Sequence, residues 1–139
     1  MLIALAAAMC VAIIVVGVRF LVVPESGAAD YGIAAAATGE AGPYLAVKGL
    51  RDLSFGVIGL TLLVVRQFRA AGWVMIAVSL VPFGDAAIVV ANGGSPALAY
   101  GMHGGTGVAL VLVGALLLRD RRAVPATEPR RAGPRIVDQ

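Results

Sequence analysis

Apolar residues fall into four long runs along this chain, separated by stretches rich in polar residues, glycine and proline. Each run holds roughly 20 residues, and at about 1.5 Å per residue a helix of that length spans a hydrocarbon core of about 30 Å. The runs lack the alternation of a barrel strand, and open sheet edges do not occur in lipid. The pattern predicts an all-α membrane protein whose four transmembrane helices form a compact bundle, over residues 2–23, 44–65, 71–91 and 97–118.

The composition excludes an ordinary soluble domain. Hydrophobic residues make up 60% of the chain and charged residues only 14%, about half the usual charged share. A soluble domain of this length exposes too much of its surface to water to hide so many apolar side chains. We expect one four-helix transmembrane domain over residues 1–118 and a basic, Pro- and Arg-rich tail over residues 119–139, which its low apolar content predicts to be disordered.

The connections between the runs differ in charge. Residues 24–43 form a Gly- and Ala-rich connection with Glu25, Asp30 and Glu40, and they are predicted to be a loop. The connection over residues 66–70 and the tail together hold eight of the eleven basic residues. The positive-inside rule places both in the cytoplasm, so both termini are predicted to be cytoplasmic in a multi-pass protein of the cell membrane. A basic tail beside a membrane is typical of contact with membrane lipids rather than of nucleic-acid binding.

Six ionisable residues interrupt the apolar runs. Counted from the outer end of each predicted helix, they lie about 6–12 Å deep, while the inner half has none. A charge left unpaired in lipid costs about 2.5–3.5 kcal/mol on insertion scales. We therefore expect one polar cavity in the outer half, closed toward the cytoplasm, in which Lys48 pairs with Asp52 and Arg51 meets Asp85. The six residues are Arg19, Lys48, Arg51, Asp52, Asp85 and His103, and all of them except Arg19 are expected to line the cavity.

These residues suggest acid/base chemistry. Asp85 and His103 are the candidate catalytic pair, because His is the side chain that most readily changes protonation near neutral pH. The candidate ligand-binding residues would hold an anionic or enolate-like oxygen, and they are Arg51, Lys48, Asp52, Arg19 and Tyr100. Structural ion pairs, or snorkelling to the headgroups, are alternative roles for the charged residues. A single Cys10 and one His are not a metal signature, so no metal or cofactor is expected.

Three functions remain open at this point. The first is a membrane-embedded protein that binds a small lipophilic molecule and isomerises or cyclises it by acid/base chemistry. The second is a small proton-coupled transporter, which the absence of an acidic residue in the first run disfavours. The third is a non-catalytic helper subunit, and whether the chain is an enzyme stays open. Its glycines at positions 56, 59, 101 and 105 suit close helix packing within one chain or in a homodimer.

Four short motifs carry a family resemblance. They are Gly-Val-Arg-Phe at residues 17–20 with Pro24 and Tyr31-Gly32, Lys-Gly-Leu-Arg-Asp at 48–52, Pro-Phe-Gly-Asp at 82–85, and His-Gly-Gly-Thr at 103–106. In these motifs the chain resembles a small four-helix integral membrane family, domain of unknown function 4267. The likeness covers about residues 10–118 and leaves out the tail. It implies the four-helix architecture and the importance of the same polar residues, and it implies no activity.

Overall fold

A computed structural model describes residues 1–33 and 41–119. Within these two stretches all regular structure is helical. The helices are α1 (Leu2–Val22), α2 (Pro24–Tyr31), α3 (Ala41–Val64), α4 (Phe68–Val78), α5 (Leu80–Ala91), α6 (Pro96–Leu98), a π-helix (Ala99–Gly104) and α7 (Gly105–Arg119). The predicted disorder of the tail concerns residues that, apart from Arg119, lie outside the described ranges.

Three stretches of helix are long and apolar enough to cross a membrane, namely Leu2–Val22, Phe68–Ala91 and Pro96–Arg119. The prediction of a helical membrane protein is therefore confirmed to the extent of three candidate membrane-spanning helices. The helix α3 is also 24 residues long, but it is not one of these three candidate spans. It carries three charged residues, Lys48, Arg51 and Asp52, within its apolar sequence.

The long helices pack as two pairs in which glycine lets the backbones approach closely. In the first pair, a Cβ added at Gly17 of α1 would lie 2.6 Å from the carbonyl oxygen of Gly49 in α3. In the second pair, a Cβ at Gly72 of α4 would lie 2.8 Å from the carbonyl oxygen of Gly114 in α7. Small residues at such positions are typical of helices that associate in lipid.

The two pairs are joined by a buried apolar cluster at one end of the bundle. This cluster lies where α1 and α4 begin and where α3 and α7 finish. It therefore closes the bundle at the end opposite to α2, which follows the last residue of α1. Its members are Ala6, Cys10, Leu63, Phe68, Ala71, Met75, Val113 and Leu117.

The third apolar run is not one uninterrupted helix, because α4 and α5 meet at Ser79. Pro82 has no backbone N–H, so the carbonyl group four residues before it receives no helical hydrogen bond. The Ser79 hydroxyl donates to the carbonyl oxygen of Ile76 at 2.6 Å. The backbone of Ser79 itself stays helical, so the proline interrupts the helical hydrogen bonding only locally, a detail that the sequence prediction of a helix over residues 71–91 did not include.

The first connection was predicted to be a loop, and this is wrong over Pro24–Tyr31, which form α2, and over residues 41–43, which begin α3. Residues 34–40 of the connection lie outside the described ranges. Pro24 occupies the first turn, where a missing N–H costs nothing. At the other end Gly32 adopts a φ of 104°, its N–H donates to Ala29 O at 3.1 Å, and the N–H of Ile33 donates to Ala28 O at 3.3 Å. This is the Schellman arrangement that ends a helix at glycine.

Candidate functional site

A cavity of about 630 Å³ lies between the two helix pairs. Most of its lining is apolar and comes from every long helix, including Met9 and Ile13 of α1, Phe55 of α3 and Leu110 of α7. Its acidic, phenolic and imidazole side chains are those of Tyr31, Asp52, Asp85 and His103. The cavity is thus mainly apolar and contains one set of polar groups, as is common for sites that bind small molecules.

Tyr31 is the residue that joins the polar groups of the cavity. Its phenol O–H donates to Oδ2 of Asp85, its carbonyl oxygen is 2.9 Å from Nε2 of His103, and its ring centroid is 4.2 Å from that of His103. Tyr31 is the last residue of α2, so these contacts fix α2 against α5 and the π-helix. The short helix α2 therefore contributes Tyr31 to the cavity lining at the end opposite to the apolar cluster.

The contact with the Tyr31 carbonyl group fixes the tautomer of His103. A carbonyl oxygen only accepts hydrogen bonds, so Nε2 of His103 must carry the proton and donate it. In the neutral ring Nδ1 is then the atom with the free lone pair. His103 is 4% exposed and lines the cavity, which makes it a buried group with one acceptor atom left for a ligand.

The phenol of Tyr31 is held in its protonated form. Burial raises the pKa of Tyr31 well above its usual range, and the hydrogen bond to Asp85 and the negative charge of that carboxylate add to the shift. The phenol therefore stays a hydrogen-bond donor throughout the physiological pH range, with Asp85 as the acceptor.

A second polar group surrounds Asp52, which is 1% exposed. Lys48 Nζ is 2.6 Å from Oδ2 of Asp52 and Arg51 Nε is 3.3 Å from Oδ1. The Lys48 ammonium also lies over two aromatic rings, 3.9 Å from the centroid of Tyr31 and 4.8 Å from that of Phe20. Both carboxylate oxygens of Asp52 are therefore occupied, and the Lys48 charge is enclosed by an anion and two ring faces.

The predicted pairing of Lys48 with Asp52 is confirmed, but the predicted contact between Arg51 and Asp85 is wrong. Arg51 instead binds Asp52, its neighbour in sequence, and its side chain is 43% exposed. Asp85 accepts a hydrogen bond from Tyr31, a partner that the sequence analysis did not consider because it assigned Tyr31 to a loop.

The other predicted site residues lie in different places. Asp52, Asp85 and His103 line the cavity, whereas the two cations on Asp52 do not. Arg19 forms an ion pair with Asp30 and donates to the Ser26 hydroxyl at 2.9 Å, so it ties α2 to α1 away from the cavity. Tyr100 is 65% exposed and does not line the cavity either.

Tyr31 is the site residue that the sequence analysis missed. The signal was present, because Tyr31 is the only aromatic residue in the connection over residues 24–43 and directly precedes a glycine. A single aromatic residue in a connection otherwise rich in alanine and glycine indicates a contact with the rest of the fold. In the described ranges no three His, Cys, Asp or Glu side chains come together to hold a metal ion.

The π-helix places His103 on the cavity wall. A π-helix is a rare insertion in an α-helical run and is frequent at functional sites. At two glycines of this region, Gly101 and Gly105, an added Cβ would meet no atom within 4 Å, and both line the cavity. Open space therefore lies at both glycines, and neither is required for close helix packing within the chain.

Comparison with known proteins gives one family. The family model described as "Domain of unknown function (DUF4267)" matches residues 10–117, which include every ionisable residue of the cavity. No curated protein and no solved structure matches the chain.

Proposed function

The chain belongs to the family described as Domain of unknown function (DUF4267), and from that premise we propose that it binds a small lipophilic molecule inside the membrane and rearranges it by acid/base chemistry. The supporting observation is the apolar cavity of about 630 Å³ with polar side chains grouped around Tyr31. Binding pockets of about 300–1,000 Å³ usually combine an apolar lining with a few convergent polar groups.

The proposed chemistry uses Asp85 and His103 as a pair. An isomerisation or cyclisation moves a proton from one atom of the ligand to another and leaves its composition unchanged. One member of the pair, the Asp85 carboxylate or Nδ1 of His103, takes a proton from one atom of the ligand and returns it to another, so the step balances without a cofactor. Tyr31 acts as a positioning residue in this proposal, because it holds the Asp85 carboxylate by its phenol and the imidazole by its carbonyl group.

The alternatives of a proton-coupled transporter and a helper subunit have less support from the cavity. Its acidic and imidazole residues are Asp52, Asp85 and His103, and the part of the cavity that reaches Met75 and Val113 in the buried apolar cluster adds no further acid or His. A transported proton would need titratable groups on the path beyond this point. A helper subunit would need only the polar contacts and no chamber.

We expect protein purified in mild detergent to carry a lipophilic molecule that solvent extraction and mass spectrometry detect. Gly105→Leu should lower its amount about tenfold or more, because the leucine occupies cavity space and a loss of about 1.4 kcal/mol in binding is already tenfold. Gly84→Leu is the matched control, since an added Cβ at Gly84 also meets no atom within 4 Å but the residue does not line the cavity.

Equal extracts from the two glycine variants and the unmodified protein would contradict the proposal. Folded protein that carries no molecule other than bulk lipid would favour the helper subunit. Uptake of a solute into sealed vesicles, driven by a pH gradient and abolished by Asp85→Asn, would favour the transporter.

We further propose that α3 is a fourth span and that both termini lie in the cytoplasm of a cell membrane. At about 1.5 Å per residue its 24 residues are long enough for the hydrocarbon core. Its charges are partly neutralised by the contacts of Asp52 with Lys48 and Arg51, which lowers the cost of insertion. Arg66 and Arg69 then share the cytoplasmic side with Arg119, as the positive-inside rule requires.

Single cysteines test this topology. Ser26, Gln67 and Ser95 are all exposed, and the native Cys10 is buried. We expect an impermeant thiol reagent added to intact cells to label Ser26→Cys and Ser95→Cys and to leave Gln67→Cys unlabelled until the cells are opened. Labelling of Gln67→Cys from outside, with no labelling of Ser26→Cys, would reverse the orientation.

A further inference from the structure

Of the two acidic side chains that line the cavity, Asp85 is the one that forms no ion pair with another described residue. It accepts one hydrogen bond, from the Tyr31 phenol on Oδ2. The ion pairs of the described ranges are Arg19 with Asp30, and Lys48 and Arg51 with Asp52, so none of them includes Asp85. Asp85 is partly buried, and a carboxylate with a single neutral donor still has acceptor capacity on its second oxygen.

His103 adds a second acceptor to the same cavity. Its Nε2–H group is used by the Tyr31 carbonyl oxygen, so the atom of the neutral ring that remains is the Nδ1 lone pair. The Tyr31 carbonyl oxygen thus uses the N–H group of His103, and the Tyr31 O–H group is directed to Asp85. The acceptors that remain for a ligand are the second oxygen of Asp85 and Nδ1 of His103.

The cations grouped around Asp52 do not supply donors to these two acceptors. Lys48 and Arg51 bind the two oxygens of Asp52 and do not line the cavity. The Lys48 ammonium is also covered by the Tyr31 and Phe20 rings. Because neither cation lines the cavity, the side chains grouped around Tyr31 present acceptors to a ligand.

We infer that the molecule in this cavity carries a hydrogen-bond-donating head group, that of a long-chain alcohol or protonated amine, and not a carboxylate or phosphate. This inference rests on the proposed function, which specifies only a small lipophilic molecule. A donor head satisfies Asp85 and His103, whereas an anionic head would lie beside a like charge in a medium of low dielectric constant. The lining runs from Leu5 to Val16 along α1, a rise of about 16 Å that accommodates an alkyl or isoprenoid tail.

Three probes of equal chain length separate the head groups: dodecylamine, dodecanol and dodecanoate. We expect the first two to raise the Tm of the full chain in lipid nanodiscs by about 4 °C more than dodecanoate, because a ligand that binds only the folded state stabilises it. Gly105→Leu should remove this difference, and Gly84→Leu should keep it. Asp85→Asn should remove the larger Tm shift of dodecylamine relative to dodecanoate, because the amide of the variant still accepts from Tyr31 but carries no charge.

Shifts with dodecanoate that equal or exceed those with the amine and the alcohol, and that disappear in Gly105→Leu, would overturn the inference and leave the binding function standing. Shifts that Gly105→Leu does not change would come from partition into lipid, and both the proposed function and the inference would then be lost. The ranking of the three probes on the unmodified protein decides the question even if Asp85→Asn does not fold.

Discussion

Replacing Asp52 with alanine is expected to lower the free energy of unfolding by about 3–5 kcal/mol, the usual cost of removing one partner of a buried ion pair. Asp52 is 1% exposed and receives both Lys48 and Arg51. Without it the Lys48 ammonium, whose side chain is only 17% exposed, keeps the two aromatic rings but loses its counter-charge. Unfolding by sodium dodecyl sulfate in mixed micelles measures the change.

Two control variants separate the loss of a buried ion pair from other effects of Asp52→Ala. Asp30→Ala removes an ion pair whose side chains are 47% and 61% exposed, and such pairs contribute about 0–1 kcal/mol. Combining Asp52→Ala with Lys48→Met should recover part of the loss, because the uncompensated charge is then absent. Equal stabilities for Asp52→Ala and Asp30→Ala would show that water reaches Asp52 and that the Lys48 pair does not hold the fold.

The second large effect concerns the contact between α1 and α3. We expect Gly17→Ala to destabilise the protein by about 3 kcal/mol, at the upper end of the usual cost of overpacking. The new Cβ would lie 2.5 Å from the backbone nitrogen of Leu53 and 2.6 Å from the carbonyl oxygen of Gly49. Both atoms belong to the backbone of α3, so no side-chain rotation relieves the clash and the two helices must separate.

The matched control is Gly84→Ala, where the added Cβ meets no atom within 4 Å. Alanine is the better helix former by about 0.5–1 kcal/mol, so this variant should be as stable as the unmodified protein or slightly more stable. Thermal unfolding in the same detergent compares the two. Equal unfolding temperatures for Gly17→Ala and Gly84→Ala would mean that α1 and α3 do not pack through Gly17 in the folded protein.

The local contacts of the candidate site were accessible from sequence, whereas its long-range contacts were not. Lys48 and Asp52 are four residues apart on one helix, so helical geometry alone brings them together. The pair of Tyr31 and Asp85 joins residues 54 positions apart, and no periodicity within either helix encodes such a contact. The mistaken pairing of Arg51 with Asp85 arose from matching opposite charges by depth without knowing which faces meet.

The misassigned loop over α2 has a related cause. Helix signals were present in Pro24 and in Gly32, but the segment is short and contains little apolar periodicity. A helix of eight residues is marginal by itself and depends on tertiary contacts for its stability. Those contacts come from Arg19, which binds Asp30 and Ser26 of α2, and from the bond of Tyr31 to Asp85.

The sequence by itself determined the class of this protein and the positions of its apolar helices, because the length and composition of an apolar run are properties of the run alone. It also singled out the ionisable residues of the apolar runs, of which Asp52 and His103 are buried, since every charge in an apolar run has a cost wherever the run packs. Only the tertiary structure decided which groups face the cavity. Glycine contacts set the two helix pairs, the space between them became the chamber, and Tyr31 from α2 took the place beside Asp85 and His103. Such contacts depend on the relative rotation of helices far apart in the chain, which the pattern along any single helix leaves free.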